Sequence, residues 1–360
     1  MRIVITGASG NVGSRTVAAL LDSGRVDSIL GLVRRPPVDG WAPAVSWQRC
    51  DISLAASESV LREAMAGADA VVHLAWQIQP GRDLDQLRRA NVDGSRRVFE
   101  AAAAAGVPAL VYASSVGAYS AGPKDDPVDE SWPTEGVPSS SYSRQKSEVE
   151  RILDDVEARS AMRVVRLRPG LIFQAAAASE VARYFLGPFV PRAMLQRRLL
   201  PVVPAFDRLV FQAVHTDDVG AAYAAAVLSA EARGAFNIAA DPVIDAAVLA
   251  EALDARVVRV PLSAVRASAA AAYQARLIPT EPGWLDMAVA LPVMATDRAR
   301  EVLGWRPKHT STAALLEILE AMRNGTGGPS PVLAATRSMA SRLAEVGKAV
   351  AQGGPGRKND

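Results

Sequence analysis

Short apolar runs alternate with segments of helical spacing through the first half of the chain. Residues 2–5 form an apolar run, a glycine turn follows, and residues 14–23 place Val17, Leu20 and Leu21 on one helical face. Further strands are predicted at residues 29–33, 45–48, 70–74, 109–113 and 163–167, and further helices at 59–65, 84–105 (one or two helices) and 142–159. Because such alternation is typical of a doubly wound parallel sheet, we predict an α/β domain over residues 1–170.

The pattern changes after residues 168–170. Alanine-rich helical segments follow, and prolines interrupt the chain at Pro188, Pro191, Pro201 and Pro204. We predict a smaller, interleaved C-terminal substrate-binding region over residues 171–323. The chain is expected to make short returns to the first domain near residues 211–240, at 211–215 and at 235–238.

The last residues, 324–360, have a different composition. Glycine and proline predict a linker at the start and a flexible tail at the end. Between them, apolar side chains recur from residue 332 to residue 350 at gaps of three and four, which predicts an amphipathic helix. We expect this helix to pack on the body of the protein or on a partner copy, with a membrane surface as the alternative.

Charge and composition restrict the function classes. Forty basic and 38 acidic residues give a formal net charge of +2, so no strong field attracts nucleic acid or an anionic membrane. No apolar run is long enough to span a bilayer, and the N-terminus lacks the apolar stretch of a signal peptide. The single Cys50 and three histidines without ligand spacing predict neither a disulfide nor a metal site. We expect a cytoplasmic protein without an integral membrane segment.

The glycine turn after the first strand carries the first chemical signal. Gly7 permits a tight bend, Gly10 allows close approach of a pyrophosphate, and Gly13 allows close packing of helix on strand. The following helix N-terminus stabilises an anion. The context predicts a Rossmann dinucleotide site, the alternative being a plain strand-to-helix turn. Predicted cofactor contacts in this turn are Gly7, Ser9, Gly10, Asn11, Val12 and Gly13.

Two arginines stand at the end of the second predicted strand. NAD-binding proteins usually place a carboxylate there, but this chain has Arg34 and Arg35. A guanidinium suits the 2′-phosphate of NADP, so we predict NADP in preference to NAD, unless these arginines are solvated surface residues. Asp51 and Ile52 follow the third strand and are predicted to meet the adenine ring, although Asp51 equally suits a helix cap.

Tyr142 and Lys146 are four residues apart in a predicted helix. At that spacing the side chains share a face, and a nearby ammonium lowers the pKa of a phenol, which is about 10 in water. Ser115 follows the strand at 109–113, at the strand end where ligands bind. A hydroxyl donor and a phenol proton stabilise the oxyanion of hydride transfer at a carbinol carbon. Alternatively, the tyrosine and lysine lie on a solvated helix face.

Several motifs occur together in one order. They are Thr6-Gly-Ala-Ser-Gly-Asn-Val-Gly13, Asp51-Ile52, His73-Leu-Ala75, Asn91-Val-Asp-Gly94, Ser114-Ser-Val-Gly-Ala-Tyr119, Tyr142-x-x-x-Lys146, Arg168-Pro169, His215-Thr-Asp-Asp218 and Leu303-Gly-Trp-Arg-Pro307. With them, residues 1 to 322 resemble the extended short-chain dehydrogenase/reductase family, the NAD-dependent epimerase/dehydratase group.

The resemblance implies roles for individual residues. Tyr142 is the general acid/base, Lys146 lowers its pKa and binds the nicotinamide ribose, and Ser115 hydrogen-bonds the reacting oxygen. Asn91 organises the site near Lys146. Additional cofactor contacts implied by the resemblance are Leu74, Ala75, Asn91, Ala113, Tyr142, Lys146 and Pro169. His73 and His215 are similar to scaffold histidines, and residues 91–105 and 142–159 imply a possible homodimer contact.

Three departures from the family pattern bear on the substrate. Phe211 stands where nucleotide-sugar epimerases usually carry a diphosphate-binding arginine, with Arg208 nearby. Phe173-Gln174-Ala175 replaces a Gly-Pro pair, and Trp76 narrows the groove in favour of a flat or apolar substrate. We therefore favour an NAD(P)-dependent oxidoreductase acting on a small secondary alcohol or ketone. The alternatives are an NAD-dependent nucleotide-sugar epimerase/dehydratase and, less favoured, a non-catalytic dinucleotide-binding sensor.

Overall fold

The computed structural model describes residues 1–37, 42–78, 82–185, 202–328, 330 and 332–334. The strands are β1 (Arg2–Thr6), β2 (Ser28–Val33), β3 (Val45–Arg49), β4 (Ala70–His73), β5 (Ala109–Ala113), β6 (Arg163–Pro169), β7 (Leu171–Phe173), β8 (Val202–Ala205), β9 (Val210–Phe211), β10 (Ala213–His215), β11 (Gly234–Ile238), β12 (Ile244–Asp245) and β13 (Arg256–Arg259). The α-helices are α1 (Asn11–Asp22), α2 (Ser57–Met65), α3 (Leu84–Arg88), α4 (Gly94–Ala104), α5 (Ser141–Ala158), α6 (Ala178–Phe185), α7 (Thr216–Leu228), α8 (Ala246–Leu253), α9 (Leu262–Gln274), α10 (Gly283–Ala290), α11 (Asp297–Val302) and α12 (Ser311–Asn324).

Seven strands form one parallel sheet, in the order β11-β6-β5-β4-β1-β2-β3. The central strands are buried on both faces, which explains why their sequences are continuous apolar runs and do not alternate with polar residues. The strand order reverses between β1 and β4, and ligands of such sheets bind outside the carboxyl ends of the strands at this switch point. The doubly wound parallel sheet predicted from the sequence is confirmed.

Helices cover both faces of the sheet. Ile3 and Ile5 of β1 point into one apolar layer, where α1 and α7 pack together, and Val4 points into the other, which includes side chains of α2, α4 and α5. The alternation follows from the period of two along a strand. A β-carbon at Gly220 would lie 2.7 Å from the backbone of Arg15, so a glycine in α7 allows the close approach to α1.

The expected returns to the first domain differ from each other. β11, within the predicted return at 235–238, does pair in parallel with β6 and extends the main sheet. The return at 211–215 does not join that sheet. There, β10 pairs with β7, and β9 pairs with β12, in separate two-stranded sheets. Val214 of β10 nevertheless packs in the apolar layer that α1 and α7 share, so this segment contacts the first domain from outside its main sheet.

Two helix predictions have different outcomes. The predicted helix over residues 84–105 is divided into α3, a π-helical turn at Arg89–Asp93 and α4, and it ends before Gly106, whose φ is +67°. The amphipathic helix predicted up to residue 350 lies almost wholly outside the described residues. In the described part of the chain, no helix is both long enough and apolar enough to cross a membrane.

Candidate active site

The turn between β1 and α1 has the shape that a dinucleotide pyrophosphate needs. Gly7 has φ +75°, and a β-carbon there would lie 2.8 Å from the amide nitrogen of Ala75, while one at Gly13 would overlap the carbonyl oxygen of Gly7. At Gly10, the N-cap of α1, a β-carbon would meet only the Gly7 oxygen, at 3.3 Å. No side chain caps α1 and no acid stands in its first turn, so its N-terminus remains suited to an anion. The glycine turn therefore fits the pyrophosphate of a dinucleotide cofactor.

The other predicted residues of the turn have distinct surroundings. Ser9 is buried, and Val12 packs against the apolar layer of α1. The side-chain oxygen of Asn11 accepts a 2.6 Å hydrogen bond from Nε2 of Gln174 and a longer one from Thr216. Gln174 therefore ties the turn to the segment after β7, at the position where the family pattern has Gly-Pro.

Arg34 and Arg35 are exposed directly after β2. Neither forms an ion pair with any residue that the structure describes. Asp51 accepts hydrogen bonds from the amide and hydroxyl of Ser53, at 3.0 and 2.7 Å. The N-cap of α2 is Ala56, so the alternative role of Asp51 as a helix cap was wrong. Ile52 is buried.

Ser115, Tyr142 and Lys146 meet at the carboxyl end of β5. The Ser115 hydroxyl lies beside the Tyr142 phenol and acts to lower its pKa, and the Ser115 oxygen accepts a 3.0 Å bond from the amide of Gly117. Tyr142 and Lys146 lie in the first turns of α5, whose N-cap Ser140 accepts a bond from the Ser143 amide. The structure therefore brings the three predicted catalytic residues together.

Lys146 lies in an aromatic enclosure. Its Nζ donates a 2.6 Å hydrogen bond to the carbonyl of Ala113 and lies 3.5 Å from the centroid of the Trp76 ring. The same atom is 5.9 Å from the Tyr142 ring centroid. Burial lowers the pKa of the Lys146 amine well below its ordinary value, while the nearby Glu150 carboxylate opposes that shift.

Burial also shifts the pKa of the Tyr142 phenol. It raises the pKa of the phenol to about 12, and the hydrogen bond with Ser115 acts in the opposite direction. This differs from the expectation that Lys146 lowers the pKa of Tyr142. The reason is that the phenol is enclosed by protein and the Lys146 ammonium contacts the Ala113 carbonyl and the Trp76 ring. Tyr142 is consequently protonated at neutral pH.

Two tryptophans flank Tyr142. Trp76 meets it edge to face, with ring centroids 5.8 Å apart, and Trp284 of α10 lies 4.8 Å away at an interplanar angle of 37°. The indole nitrogen of Trp76 is buried and has no hydrogen-bond partner. Sequence reasoning identified Trp76 but missed Trp284, because it lies far along the chain in a segment without a motif. These rings give the site an apolar wall.

Asn91 lies in the π-helical turn and is buried. Its side-chain oxygen accepts the amide of Gln77 at 2.7 Å, and its nitrogen donates to the Gln77 carbonyl and to the Gln145 side chain, each at 2.8 Å. Asn91 thus holds the segment after β4, which includes Trp76, against α5. No bond to Lys146 is part of this arrangement.

The remaining predicted cofactor-groove residues lie at strand ends. Leu74 and Ala75 follow β4 beside Gly7, with the Leu74 amide donating to Thr6. Ala113 ends β5 and accepts from Lys146, and Pro169 ends β6. All four occupy the edge of the sheet that contains the glycine turn.

A buried ionic network lies beneath Lys146. Arg168 donates two hydrogen bonds to Glu150, at 2.8 and 2.5 Å, and Ser114 donates to the same carboxylate. Burial acts to raise the pKa of Glu150, but the bonds and charge of Arg168 outweigh it, so that pKa is lowered. The Ser114 hydroxyl is thereby engaged, whereas Ser115 faces Tyr142. Sequence reasoning missed Glu150, which is on the same helical face as Lys146.

The histidine of β4 is enclosed beside this network. His73 interacts with the hydroxyls of Thr6 and Ser95, at 2.7 and 2.9 Å. Burial, with a smaller effect of the Lys146 charge, lowers the pKa of His73 to about 3. It is therefore neutral at physiological pH and links β1, β4 and α4.

Two residues near the predicted substrate site, Phe211 and Arg208, bear on the departure from the family pattern. Phe211 lies in β9 and pairs with Ile244 of β12. Arg208 donates to the carbonyls of Val289 and Gly122, at 2.8 and 2.5 Å, and is exposed. The Arg208 guanidinium, near the position of the missing diphosphate-binding arginine in sequence, is thus engaged with the backbone.

Comparisons with known proteins agree with this architecture. The sequence profile of the "NAD dependent epimerase/dehydratase family" matches residues 3–239. A UDP-glucose 4-epimerase of Azospirillum brasilense is 28% identical over 334 residues, which cover 86% of this chain and 88% of that protein. A short-chain dehydrogenase/reductase superfamily protein from Agrobacterium tumefaciens, solved with bound NAD, is 26% identical with a TM-score of 0.66, covering 90% of this chain and 98% of that one.

A longer relative is also similar. Uncharacterized protein Rv2047c of Mycobacterium tuberculosis is 27% identical over 330 residues, covering 91% of this chain. The matched region is 31% of the length of that relative. The profile match over most of the chain, together with the glycine turn and the parallel sheet, shows that the chain belongs to the NAD-dependent epimerase/dehydratase family.

Proposed function

We propose that the protein is an NAD(P)-dependent oxidoreductase that transfers hydride at a secondary alcohol or ketone carbon of a small molecule. The observation that carries this proposal is the placement of Ser115 and Tyr142 side by side against Gly117, with Lys146 four residues further along α5 and the glycine turn at the same sheet edge. The site residues are proposed as catalytic (Ser115, Tyr142, Lys146) and cofactor-binding (the turn, Arg34, Arg35 and the strand-end residues described above).

The proton chemistry follows from the protonation of Tyr142. When bound, NAD(P) supplies or accepts the hydride at the substrate carbon. In the reducing direction, the Ser115 hydroxyl donates a hydrogen bond to the substrate oxygen, and Tyr142 transfers its proton to that oxygen as negative charge develops. Lys146, held by the Ala113 carbonyl, places its amine on the same face of α5 as Tyr142. Trp76 and Trp284 exclude water from the reacting atoms.

For the cofactor, we propose NADP in preference to NAD. Arg34 and Arg35 support this, because both are exposed after β2 and no acid precedes them at the end of that strand. The similar Agrobacterium protein was solved with NAD, so the two cofactors need direct comparison. Fluorescence titration of the protein with NADPH and NADH measures both dissociation constants. A tighter NADH complex would contradict the preference.

The second candidate is a nucleotide-sugar epimerase or dehydratase. The 28% identity to a UDP-glucose 4-epimerase over most of both chains favours it. Phe211 and the backbone-bound Arg208 argue against it, because neither provides a free cation for a sugar diphosphate. Denaturing the purified protein separates the candidates. Stoichiometric release of NAD supports the epimerase, whereas exchange of NADPH with solution supports the oxidoreductase.

The experiment that tests catalysis replaces Tyr142 by phenylalanine. Phenylalanine keeps the ring between Trp76 and Trp284 but removes the proton donor, so kcat is expected to fall about 10²- to 10⁴-fold. Tyr273→Phe, on α9, is the control and should retain kcat. If Tyr142→Phe reduces the substrates of the wild-type protein at an unchanged rate, the protein is better explained as a dinucleotide-binding sensor.

We also propose an oligomeric state and a cellular location for the protein. We infer a homodimer through α4 and α5, which pack side by side and carry exposed charged residues such as Arg96, Glu100 and Arg151. Sedimentation velocity tests it, since charge reversal at Arg151 should weaken a dimer. The buried, unpaired thiol of Cys50 supports a reducing, cytoplasmic location.

A further inference from the structure

Two of the three histidines meet at the start of α7. His215 ends β10, and its ring centroid lies 4.1 Å from that of His309, which stands in the loop between α11 and α12. The Asp217 carboxylate is beside them. One potential ligand atom from each of His215, Asp217 and His309 lies within 4.8 Å of the others. This cluster shares no residue with the Ser115, Tyr142 and Lys146 site.

A carboxylate stands behind each imidazole. Nδ1 of His309 is 3.0 Å from Oδ2 of Asp218, and Nε2 of His215 is 3.2 Å from Oε2 of Glu317. Metal-bound histidines usually donate their second ring N–H to such a carboxylate, which fixes the tautomer. At His309 the bond to Asp218 leaves a lone pair on Nε2. Nε2 of His215 is buried and, although close to Glu317, makes no hydrogen bond with a described residue, while Asp217 lies beside its other nitrogen, Nδ1. The latter nitrogen is 3.6 Å from Oδ2 of Asp217.

Burial and charge suit a cation. His215 is 4% exposed, whereas the side chains of His309 and Asp217 are 39% and 46% exposed, so the site is anchored on one side and open to solvent on the other. Three carboxylates, those of Asp217, Asp218 and Glu317, surround the two imidazoles.

One cation lies beside these carboxylates, and one long hydrogen bond occupies a potential ligand atom. Nε of Arg15 is 3.0 Å from the other oxygen of Asp217, so the three carboxylates are opposed by one guanidinium. The Asp217 amide donates a long, 3.2 Å bond to Nδ1 of His215, and an ion would replace that bond.

We propose that His215, Asp217 and His309 bind one divalent transition-metal ion of the zinc type, with a fourth position open to water. Nitrogen and oxygen ligands of a tetrahedral zinc ion are about 3.3 to 3.6 Å apart, so the half-exposed His309 and Asp217 side chains close in by about 1 Å. Imidazole and carboxylate together select zinc, cobalt or nickel over magnesium or calcium. The ion connects the start of α7 to the loop before α12.

Cobalt(II) titration of the full-length, untagged, chelator-treated protein tests the proposal. One equivalent should produce the visible absorption of tetrahedral cobalt, and zinc should displace it. His309→Gln and Asp217→Asn should each weaken cobalt binding at least tenfold, and Glu317→Gln, which keeps the bond to Ala175, about tenfold. Asp155→Asn, an exposed acid on α5, is the matched control and should bind cobalt as the wild type does.

A second measurement needs no variant. In the wild-type protein, zinc should shift the imidazole NMR signals of His215 and His309 and leave that of His73 unchanged, because the His73 ring is enclosed by Thr6 and Ser95. Absence of the cobalt spectrum at one equivalent would overturn the proposal. So would equal binding by wild type and the His309→Gln variant, or unchanged His215 and His309 signals on zinc addition.

Discussion

Replacing Gly117 by alanine probes the contact between the loop after β5 and the proposed proton donor. A β-carbon at this position would lie 2.8 Å from Cε1 of Tyr142, 3.2 Å from Cδ1 and 3.3 Å from the Ser115 oxygen. An ordinary contact begins at about 3.4 Å, so the phenol ring must withdraw by roughly 0.6 Å. Trp284 lies on its other side, with ring centroids 4.8 Å apart, so little space is available.

The expected magnitude follows from that displacement. Overpacking of this kind costs about 1 to 3 kcal/mol of unfolding free energy. Moving a catalytic group by a fraction of an ångström to 1 Å lowers kcat by about 10- to 100-fold, because the Tyr142 hydroxyl is displaced from its position beside Ser115. The KM for NADPH should change little, since the glycine turn is untouched.

Gly122→Ala separates general strain from misplacement of Tyr142. Its β-carbon would lie 2.8 Å from Cβ of Pro292, a clash of equal size, but it has no contact with Tyr142. We expect both variants to lose stability in urea unfolding and only Gly117→Ala to lose kcat, measured by NADPH oxidation with a ketone that the wild type reduces. Wild-type kcat in Gly117→Ala would refute the reasoning, as would an equal loss in Gly122→Ala.

Three further predictions concern charge. The pKa of His73 is lowered from about 6.5 to about 3, so the unfolded state binds a proton before the folded state does as the pH falls. The free energy of unfolding should therefore decrease between pH 6.5 and 3. A His73 ring signal that titrates near pH 6.5 by NMR would contradict this. Arg34→Ala with Arg35→Ala should raise the dissociation constant of NADPH at least about tenfold and leave that of NADH unchanged, as measured by fluorescence; equal losses for both cofactors would exclude phosphate recognition. Arg168→Met leaves Glu150 buried without its partner and should lower the urea unfolding free energy by about 3 to 5 kcal/mol, whereas a loss below 1 kcal/mol would mean that the pair is solvated.

The sheet and the glycine turn were predictable because their signals are local. Apolar runs such as residues 2–5 and 109–113 are long enough to identify buried strands, and the spacing of Gly7, Gly10 and Gly13 is set by backbone geometry within one turn. Strand partners were less predictable. A short return to the first domain was expected at residues 211–215, but the sequence did not specify that β9 and β10 would pair outside the main sheet, because pairing depends on where the preceding chain leads.

Long-range contacts decided the electrostatics of the candidate site. The spacing of Tyr142 and Lys146 correctly placed both on α5, but the direction of the Tyr142 pKa shift depends on its enclosure by Trp76 and Trp284. No local pattern indicates that enclosure. The same is true of His215 and His309, which have no ligand spacing in sequence and whose rings are 4.1 Å apart in the fold.

By itself the sequence determined the strand and helix alternation, the dinucleotide turn and the chemical identity of the three proposed catalytic residues, since each depends on neighbours within a few positions along the chain. Only the tertiary structure decided which groups are desolvated, which charges face each other and which aromatic rings line the groove. The physical reason is that pKa, packing and ligand geometry depend on distances in space, and residues far apart in sequence set those distances.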